Sequence, residues 1–483
     1  MATLAAASQP QRDWLVPLCG AHLTRAGLQA ILHAHGVTLY WRALTPLVVL
    51  WGMLYQRLLG CGTLDDVVAA LHAGAADGLD PADPHRVPLS QRLRSSSTAA
   101  YNQARQRLPS TVIQAVRAQV TAQALAGLAA GVRTWRGWRV CVLDGTTFRL
   151  PPMGDLADRY GRAGGRYGPS HWVTAQAVVV FDWASWLVVG HATAPHVPSE
   201  TTLVRTALAD EPPGALVLGD MGFGIYRTVL VLHHLGHHAL LRLDPRHVPT
   251  LLGQSAACVR QAASGTTWPL AWAHRAGIAC DPELPTATVP GRVLFWRLER
   301  AGFRPRSLYL FTTLPTVPAA DAPAADAPAA VTVAEVVALY ADRWQVEVRY
   351  RDLKTTLQMA YFDVRSAALF EKELEVGLLA YTLIRLAMQA AAPTLPAAGR
   401  LAFAAARRRL RVSWCLDGPS RWQAARTRRL RLGLATCQIR HARTTLAHEP
   451  RMVRRTPQVF PALKGARADA RRANLLKLGA ISL

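Results

Sequence analysis

The chain has 483 residues, 51% of them hydrophobic, and a formal net charge of +24. This length exceeds what one hydrophobic core usually organises, so we expect two to four structural units. Only four lysines are present, so arginine carries the positive charge, and a coding bias toward arginine does not explain a surplus of cations over acids. The composition therefore favours a polyanionic partner.

Cysteine spacing and hydropathy exclude further classes of protein. The seven cysteines are scattered and never form a C-x-x-C pair, which argues against a disulfide framework and a cysteine zinc site. Arg12 and Asp13 stand where a signal peptide needs an apolar run, and the longest apolar stretch, residues 44–55, is too short to span a bilayer. We therefore expect a cytoplasmic protein without a membrane partner.

Residues 1–135 are predicted to form a mainly helical N-terminal region, because their apolar residues recur at helical spacing. Within it, residues 89–110 place Arg105, Arg107 and two further arginines beside small hydroxyl side chains. That composition suits contacts to a sugar-phosphate backbone, so we predict a DNA-binding region. A solvated helix-loop-helix without a ligand is the alternative.

Residues 136–250 change to short β-rich runs. Three strands, a helical segment over residues 199–211 and a fourth strand are predicted there. Asp144 follows the apolar run of the first strand, and Asp220 follows that of the fourth. This order matches the opening of an α/β fold with an RNase H-like core, in which each acid lies at the end of a central strand.

The rest of the chain divides into three predicted parts. Residues 251–333 form a β-rich insertion that ends in an Ala/Pro/Asp linker, since that repeat has nothing to bury. Residues 334–395 return to the core with two successive helices. Residues 396–483 are dense in arginine, and we expect a basic helical C-terminal region that contacts DNA or another subunit, with a solvated tail as the alternative.

The segment YADRWQVEVRYRDLK, residues 340–354, gathers reactive side chains on one helical face. At about 100° per residue, an arc of about 60° contains Tyr340, Arg343, Glu347 and Lys354, and Arg351 lies about 20° beyond its edge. A solvated helix usually spreads or pairs its charges, so a carboxylate flanked by cations and a phenol indicates a phosphate-handling site with one metal-ligand acid. The alternative is an amphipathic helix whose ion pairs happen to align.

The two strand-end acids complete the predicted site. Carboxylates on rigid elements are the usual ligands of the hard dications that assist phosphodiester transfer. Taken alone, Asp144 and Asp220 are ordinary turn residues near glycine, but two such acids followed by a helical Glu347 indicate a metal site. Glu200, at a predicted helix start, is either a further acid near the site or a group that stabilises the helix dipole.

The spacing Tyr, two residues, Arg, three residues, Glu, six residues, Lys, together with Asp144 in an Asp-Gly-Thr setting and the later Asp220, resembles the DDE transposases of the insertion-sequence-four family. The resemblance covers roughly residues 40–465. It implies catalytic and metal-binding roles for Asp144, Asp220 and Glu347, with two Mg²⁺ ions as cofactor and Mn²⁺ as the alternative. The predicted DNA contacts are Tyr340, Arg343, Lys354, Arg351, Arg105 and Arg107.

Two further features concern the DNA. The family usually has arginine directly after the second aspartate, whereas this chain has Met221, which puts a backbone contact there in doubt. Related transposases stack a tryptophan on a base that is flipped out near the cut end. Trp268, Trp272 and Trp296 are the candidates for that role, and structural aromatic residues are the alternative.

The resemblance implies a DNA transposase that cleaves transposon ends with metal ions and transfers the strand into target DNA, a cut-and-paste reaction. Its partners would be double-stranded DNA, both terminal inverted repeats and target, and a second copy of the chain in a synaptic complex within a prokaryotic cytoplasm. One alternative is a nuclease of the same fold without strand transfer. Another is an inactive or domesticated DNA-binding relative, which Met221 favours and the intact acids oppose.

Overall fold

The structure is a computed structural model, and it describes most of the chain between residues 23 and 417 together with one later helix. The described residues are 23, 25–39, 42–60, 62–77, 79, 87–128, 134–164, 168–196, 199–275, 280–299, 306–317, 331–391, 401–417 and 467–477. The predicted Ala/Pro/Asp linker and most of the predicted basic C-terminal region lie outside these residues.

A mixed sheet of nine strands lies at the centre of the described residues. Its strands are β1 (Thr134–Trp135), β2 (Trp138–Leu150), β3 (Val173–Asp182), β4 (Val188–Pro195), β5 (Leu216–Gly219), β6 (His238–Arg242), β7 (Thr267–Trp272), β8 (Val289–Leu298) and β9 (Arg306–Thr312). β1 pairs with β2 in a hairpin, and the other strands follow the order β4-β3-β2-β5-β6-β9-β8-β7. β10 (Thr316–Val317) and β11 (Val331–Thr332) pair separately as a parallel ribbon.

Strand direction identifies the fold. β3 is antiparallel to β2, and β4 is antiparallel to β3. On the other side of β2, β5 and β6 are both parallel to it. The sheet thus has an antiparallel meander, β2-β3-β4, and two further strands, β5 and β6, that lie on the other side of β2 and run parallel to it. This is the RNase H-like arrangement. The predicted fold class is therefore confirmed.

Helices cover both faces of the sheet. They are α1 (Arg25–Ala34), α2 (Pro46–Leu59), α3 (Leu64–His72), α4 (Leu89–Arg92), α5 (Ala99–Arg107), α6 (Ser110–Ala126), α7 (Leu156–Tyr160), α8 (Val204–Ala207), α9 (Tyr226–His234), α10 (Val248–Leu252), α11 (Ala256–Gln261), α12 (Val333–Asp342), α13 (Gln345–Arg351), α14 (Ala367–Ala391), α15 (Phe403–Asp417) and α16 (Arg467–Lys477). A 3₁₀ helix, Glu200–Leu203, precedes α8, and a π-helical turn, Asp352–Thr356, follows α13.

The central strands are apolar on both faces because each face is covered. Along β2, Val140 and Val142 join a core that contains the N-terminal helices and α14. Cys141 and Leu143 face the opposite way, into a core with α8 and α9. Successive strand residues point to opposite faces, so a strand buried on both sides reads as a continuous apolar run.

The N-terminal helices share a core with the central sheet and α14. Buried ion pairs join the two: Glu373 of α14 pairs with Arg57 of α2 at 2.6 Å and with Arg105 of α5. Glu375 accepts from Arg117 Nε at 2.9 Å. The predicted division at residue 135 therefore separates two stretches of chain and not two cores.

The predicted β-rich insertion extends the central sheet. β9 pairs antiparallel with β6, with Leu240 opposite Thr312, and β8 and β7 follow in turn. β6 would otherwise expose a row of unpaired backbone groups at the edge of the sheet. The block between residues 251 and 317 thus belongs to the same sheet as the predicted core.

Among the described residues, no single helix has the length and apolar character needed to cross a bilayer. α2 and α3 meet that test only when they are taken together as a pair bent by 118°.

Candidate active site

Asp144 and Asp220 lie side by side at the point where β5 ends. β2 and β5 are parallel, with Val142 opposite Leu218, and each acid comes two residues after that pair. The Oδ1 atom of Asp144 accepts from the Gly145 N–H at 3.1 Å. The prediction differs from the structure in one respect: β2 continues past Asp144 to Leu150, because β3 pairs with it over that length.

The two aspartates repel each other in a partly buried setting. The pKa of Asp144 is raised to about 7, first by burial and then by the charge of Asp220, while Arg343 acts in the opposite direction. Like charges at this separation disfavour simultaneous ionisation unless a cation lies between them. Neighbouring carboxylate oxygens are the ligand type that a hard divalent cation prefers.

Glu200 is a third carboxylate at this site, and the sequence left its role open. Its charge adds to the rise in the pKa of Asp144. Its own pKa is raised by burial and by Asp220, against a hydrogen bond with Gln176. A Cβ atom built on Gly145 would overlap the Glu200 carboxylate, so the two residues are in close contact. Glu200 opens a short 3₁₀ helix, and the sequence left open whether it serves the site or the helix dipole.

The predicted signature helix is interrupted. α12 ends at Asp342, α13 begins at Gln345, and a π-helical turn follows, so residues 340–354 do not form one continuous face. Two tyrosines attach these helices to the strands that carry the acids, through hydrogen bonds to backbone carbonyls. Tyr340 OH donates to the Gly219 carbonyl at 3.3 Å, and Tyr350 OH donates to the Asp144 carbonyl at 2.7 Å.

Arg343 is the buried cation of the site. Only 4% of its surface is exposed, and its charge lowers the pKa of Asp144. The guanidinium lies over the rings of Tyr340 and Trp344, at 5.8 and 5.1 Å from their centroids. Arg343 therefore acts as a fixed counter-charge beside the acids, and its predicted contact with the DNA backbone stays a prediction.

Lys354 lies in the π-helical turn, a distortion that is frequent at functional sites. Its pKa is lowered by burial and by the charge of Arg149, whereas Asp144 acts to raise it. Lys354 is therefore close to both the acids and Arg149. Arg351 is exposed on α13.

Glu347 is exposed and lies one turn before Tyr350 on α13. In the part of the chain that the structure describes, no group of three or more His, Cys, Asp or Glu side chains is arranged to hold a metal ion. Asp144, Asp220 and Glu200 still interact electrostatically, whereas Glu347 is exposed on α13. Its predicted role as a metal ligand stays a prediction.

The N-terminal arginines separate into two kinds. Arg105 is 6% exposed and paired with Glu373, so the predicted DNA contact at Arg105 is wrong: a phosphate cannot reach a guanidinium that is buried against its own carboxylate. Arg107 is exposed and lies at a cavity of about 720 Å³. The other arginines that line this cavity are Arg42, Arg92 and Arg94.

The three tryptophans proposed for base stacking are mainly structural. Trp272 is 7% exposed and packs edge-on against Phe311 at 4.8 Å, so the prediction for it is wrong. Its side chain belongs to the core because β7 continues the sheet. Trp268 and Trp296 are half-buried, and each packs against one of the two cores.

Met221, which stands where the family usually has arginine, is 41% exposed beside Asp220.

An RNase H-like sheet with Asp144 on β2 and Asp220 at the end of the parallel strand β5 places this chain in the RNase H-like class of proteins. Two relatives are transposases of Escherichia coli (strain K12). The transposase InsG of insertion sequence element IS4 is 26% identical over 298 residues, which are 60% of this chain and 61% of the relative. The putative transposase InsZ is 28% identical over 139 residues, which are 29% of this chain and 46% of the relative.

These similarities confirm the resemblance seen in the motifs: the chain is similar to a transposase of insertion sequence element IS4. It spans about half to three-fifths of the length of the relatives it matches. No family model matches the chain. A solved piggyBac transposase synaptic complex with hairpin DNA has a TM-score of 0.41 and 11% identity, covering 89% of this chain and 84% of that chain. The fold assignment therefore rests on the sheet topology.

Proposed function

We propose that this chain is a DNA transposase that cleaves transposon ends and transfers them into target DNA in a metal-dependent, cut-and-paste reaction. The observation that carries the proposal is the pair Asp144 and Asp220, which occupy equivalent positions along the adjacent parallel strands β2 and β5, with the pKa of Asp144 raised to about 7. The net charge of +24 supports DNA as the partner. The relationship to transposases supports the reaction class.

Asp144 and Asp220 are the residues that would hold Mg²⁺, or Mn²⁺ in its place, with Glu347 as the proposed third ligand. Dications held there would supply Lewis-acid chemistry, which would activate the attacking oxygen and stabilise negative charge on the phosphate. Arg343 and Lys354 place fixed positive charge beside the reacting phosphate, which favours a more highly charged transition state. Tyr340 and Tyr350 hold α12 and α13 against β5 and β2, and this keeps the cations aligned with the acids.

The proposed partners are double-stranded DNA, as terminal inverted repeats and as target, and a second copy of the chain that pairs the two ends. Both follow from the relationship to transposases. The exposed Arg107 and Arg351 are the proposed backbone contacts outside the acidic site. A cytoplasmic location accompanies this function.

The proposal is tested on labelled DNA that carries the sequences flanking the gene. Wild type is compared with Asp220→Asn and with the matched control Asp210→Asn, an exposed aspartate in the turn before β5. We expect nicked and joined products only with Mg²⁺, present in wild type and control and absent in Asp220→Asn. Cleavage without joining would point to a nuclease, and cleavage that survives Asp220→Asn would contradict the site.

A second candidate is a DNA-binding relative without catalysis. The exposed position of Glu347, outside the cluster of Asp144, Asp220 and Glu200, favours it. In the same experiment that protein would bind the labelled DNA with and without Mg²⁺ and would cleave it in neither case.

A further inference from the structure

A cavity of about 720 Å³ lies among the N-terminal helices, and the proposed cleavage and strand transfer make no use of it. Its described walls come from three stretches of chain: residues 39–49 up to and along α2, residues 92–95 at the end of α4, and residues 100–108 along α5. None of these residues belongs to the acidic site. A cavity of this size is in the range that encloses a small ligand or a few side chains.

One part of the cavity lining is aliphatic. Leu39, Leu44 and Leu93 are half-buried there, and Val49 and Leu108 are buried. We call these five residues the floor. Removal of apolar surface from water is favourable, so the floor favours a ligand that brings apolar groups of its own.

The other part of the lining is positively charged. Arg42, Arg94 and Arg107 are exposed at the cavity, and Arg92 is half-buried. We call these four arginines the rim. Arg92 donates to the Arg42 backbone carbonyl at 3.4 Å, which joins two of the walls. The described lining residues include no Asp or Glu, so the rim favours an anionic ligand.

The combination of floor and rim restricts the kind of ligand. Duplex DNA would meet the arginines with its phosphates but presents no large apolar group to cover the floor. An amphiphile with a single charged head would cover the floor, yet it supplies one negative charge for four arginines on three stretches of chain. A nucleotide base would lack a stacking partner, because no aromatic side chain occurs among the described lining residues.

We propose that this cavity binds a segment of another protein in which acidic residues flank large apolar side chains. The apolar side chains would cover the floor, and the carboxylates would meet the rim, because planar guanidinium groups bind carboxylates through paired hydrogen bonds. The net charge of +24 disfavours a second copy of this chain as the occupant. The proposal does not depend on the acidic site or on the proposed function.

The test is a fluorescence anisotropy measurement with a labelled peptide, Asp-Glu-Asp-Leu-Glu-Phe-Leu-Asp. Two comparison peptides separate its features: in one the three apolar residues are replaced by serine, and in the other the acidic residues are replaced by glutamine. We expect wild type to bind the first peptide about tenfold more tightly than either comparison peptide, because only the first satisfies both floor and rim.

Two variants place the binding in the cavity, and Arg107 is left unchanged because it is also a proposed DNA contact. Ala100→Trp fills the cavity from the exposed start of α5, and Arg94→Glu reverses one rim charge. Each should weaken binding of the first peptide about tenfold. The matched controls are Ala99→Trp, an exposed neighbour outside the described lining, and Arg260→Glu, an exposed arginine on α11. Both should bind as wild type does, and thermal unfolding checks that all four variants are folded.

The outcomes separate this proposal from its alternatives. Equal binding of the three peptides, or binding of the first peptide that survives both cavity variants, overturns the proposal, since general attraction to a basic protein would give that result. A blunt DNA duplex is measured with the same variants. If the duplex and not the peptide loses affinity in both, the cavity is a DNA-phosphate site and the proposal is overturned. The cleavage assay tests the proposed function separately, and its failure would leave this proposal standing.

Discussion

Two groups of buried carboxylates in this protein have opposite surroundings. At the acidic site, Asp144 faces Asp220 and Glu200, and its pKa is raised. On α14, Glu373 and Glu375 face arginines, and their pKa values are lowered although burial acts to raise them. The carboxylates of the first group repel one another although Arg343 and Lys354 are close, and those of the second are neutralised within the fold. Neighbouring carboxylates with raised pKa values indicate a candidate functional site, whereas carboxylates that are paired with arginine indicate structure.

The largest expected effect is a loss of DNA cleavage without a loss of stability when Asp144 is replaced. Asp144→Asn should reduce DNA cleavage about 10⁴-fold, as expected for loss of a residue in a catalytic group. It should also raise the free energy of unfolding by about 1 kcal/mol, because it removes a buried charge and a like-charge repulsion. Cleavage assays with Mg²⁺ and denaturant unfolding measure the two effects. A variant that loses both activity and stability would contradict the comparison.

Replacement of a carboxylate that is paired with arginine should instead lower the free energy of unfolding. Glu373→Gln leaves Arg57 and Arg105 buried without their counter-charge, so we expect a loss of about 3–5 kcal/mol in the free energy of unfolding. The matched control is Glu299→Gln, which breaks the exposed pair with Arg297 and should change stability by less than about 1 kcal/mol. Urea unfolding checks both. Equal effects in the two variants would mean that burial of the pair does not matter.

Stability should depend on acid pH through Glu375. Burial acts to raise its pKa, but Arg117 and His191 outweigh burial and lower the pKa from 4.5 to about 2. A lowered pKa gives stability that is present above pH 4.5 and is lost as the pH falls toward 2. The contribution is roughly 3 kcal/mol, at 1.36 kcal/mol for each unit. Chemical unfolding from pH 6 to 2 should show this loss in wild type and a smaller one in Glu375→Gln.

The smallest effect concerns the space beside Glu200. Gly145→Ala places a methyl group on the Glu200 carboxylate, so we expect a destabilisation of about 1–3 kcal/mol and weaker Mg²⁺-dependent cleavage. Gly127→Ala is the control, because a Cβ there meets only ordinary contacts at 3.6 Å. Thermal unfolding and cleavage measure the two effects. Unchanged behaviour in Gly145→Ala would show that Glu200 has room to move away.

The order of strands and the two aspartates were predictable because each depends on local pattern. Apolar runs that end in Asp144 and Asp220 fix both the strands and the acids, and the sheet pairs them as expected. Arg105 was not predictable, because its partner Glu373 is 268 positions away and a sequence does not distinguish an exposed arginine from a paired one. Trp272 failed for a similar reason, since its burial follows from the addition of β7 to the sheet.

The interruption of the signature helix also escaped the sequence pattern. Helical spacing treats residues 340–354 as one face, but α12 and α13 are separated at Arg343 and Trp344. On either side of the break, Tyr340 is hydrogen-bonded to β5 and Tyr350 to β2, and the helical pattern contains neither contact. The contact between Trp172 and Tyr361 was also missed, because these residues are adjacent only after β2, β3 and the chain beyond the π-helical turn have come together.

The ion pair between Arg105 and Glu373 also sets the order in which a newly made chain can complete its fold. The two residues are 268 positions apart, and a ribosome that adds about 5–20 residues per second needs on the order of tens of seconds to make that length. During this time α2 and α5 have left the ribosome before the helix that neutralises their arginines exists. We therefore expect the shared core to form only after α14 has been made, when most of the chain has been synthesised.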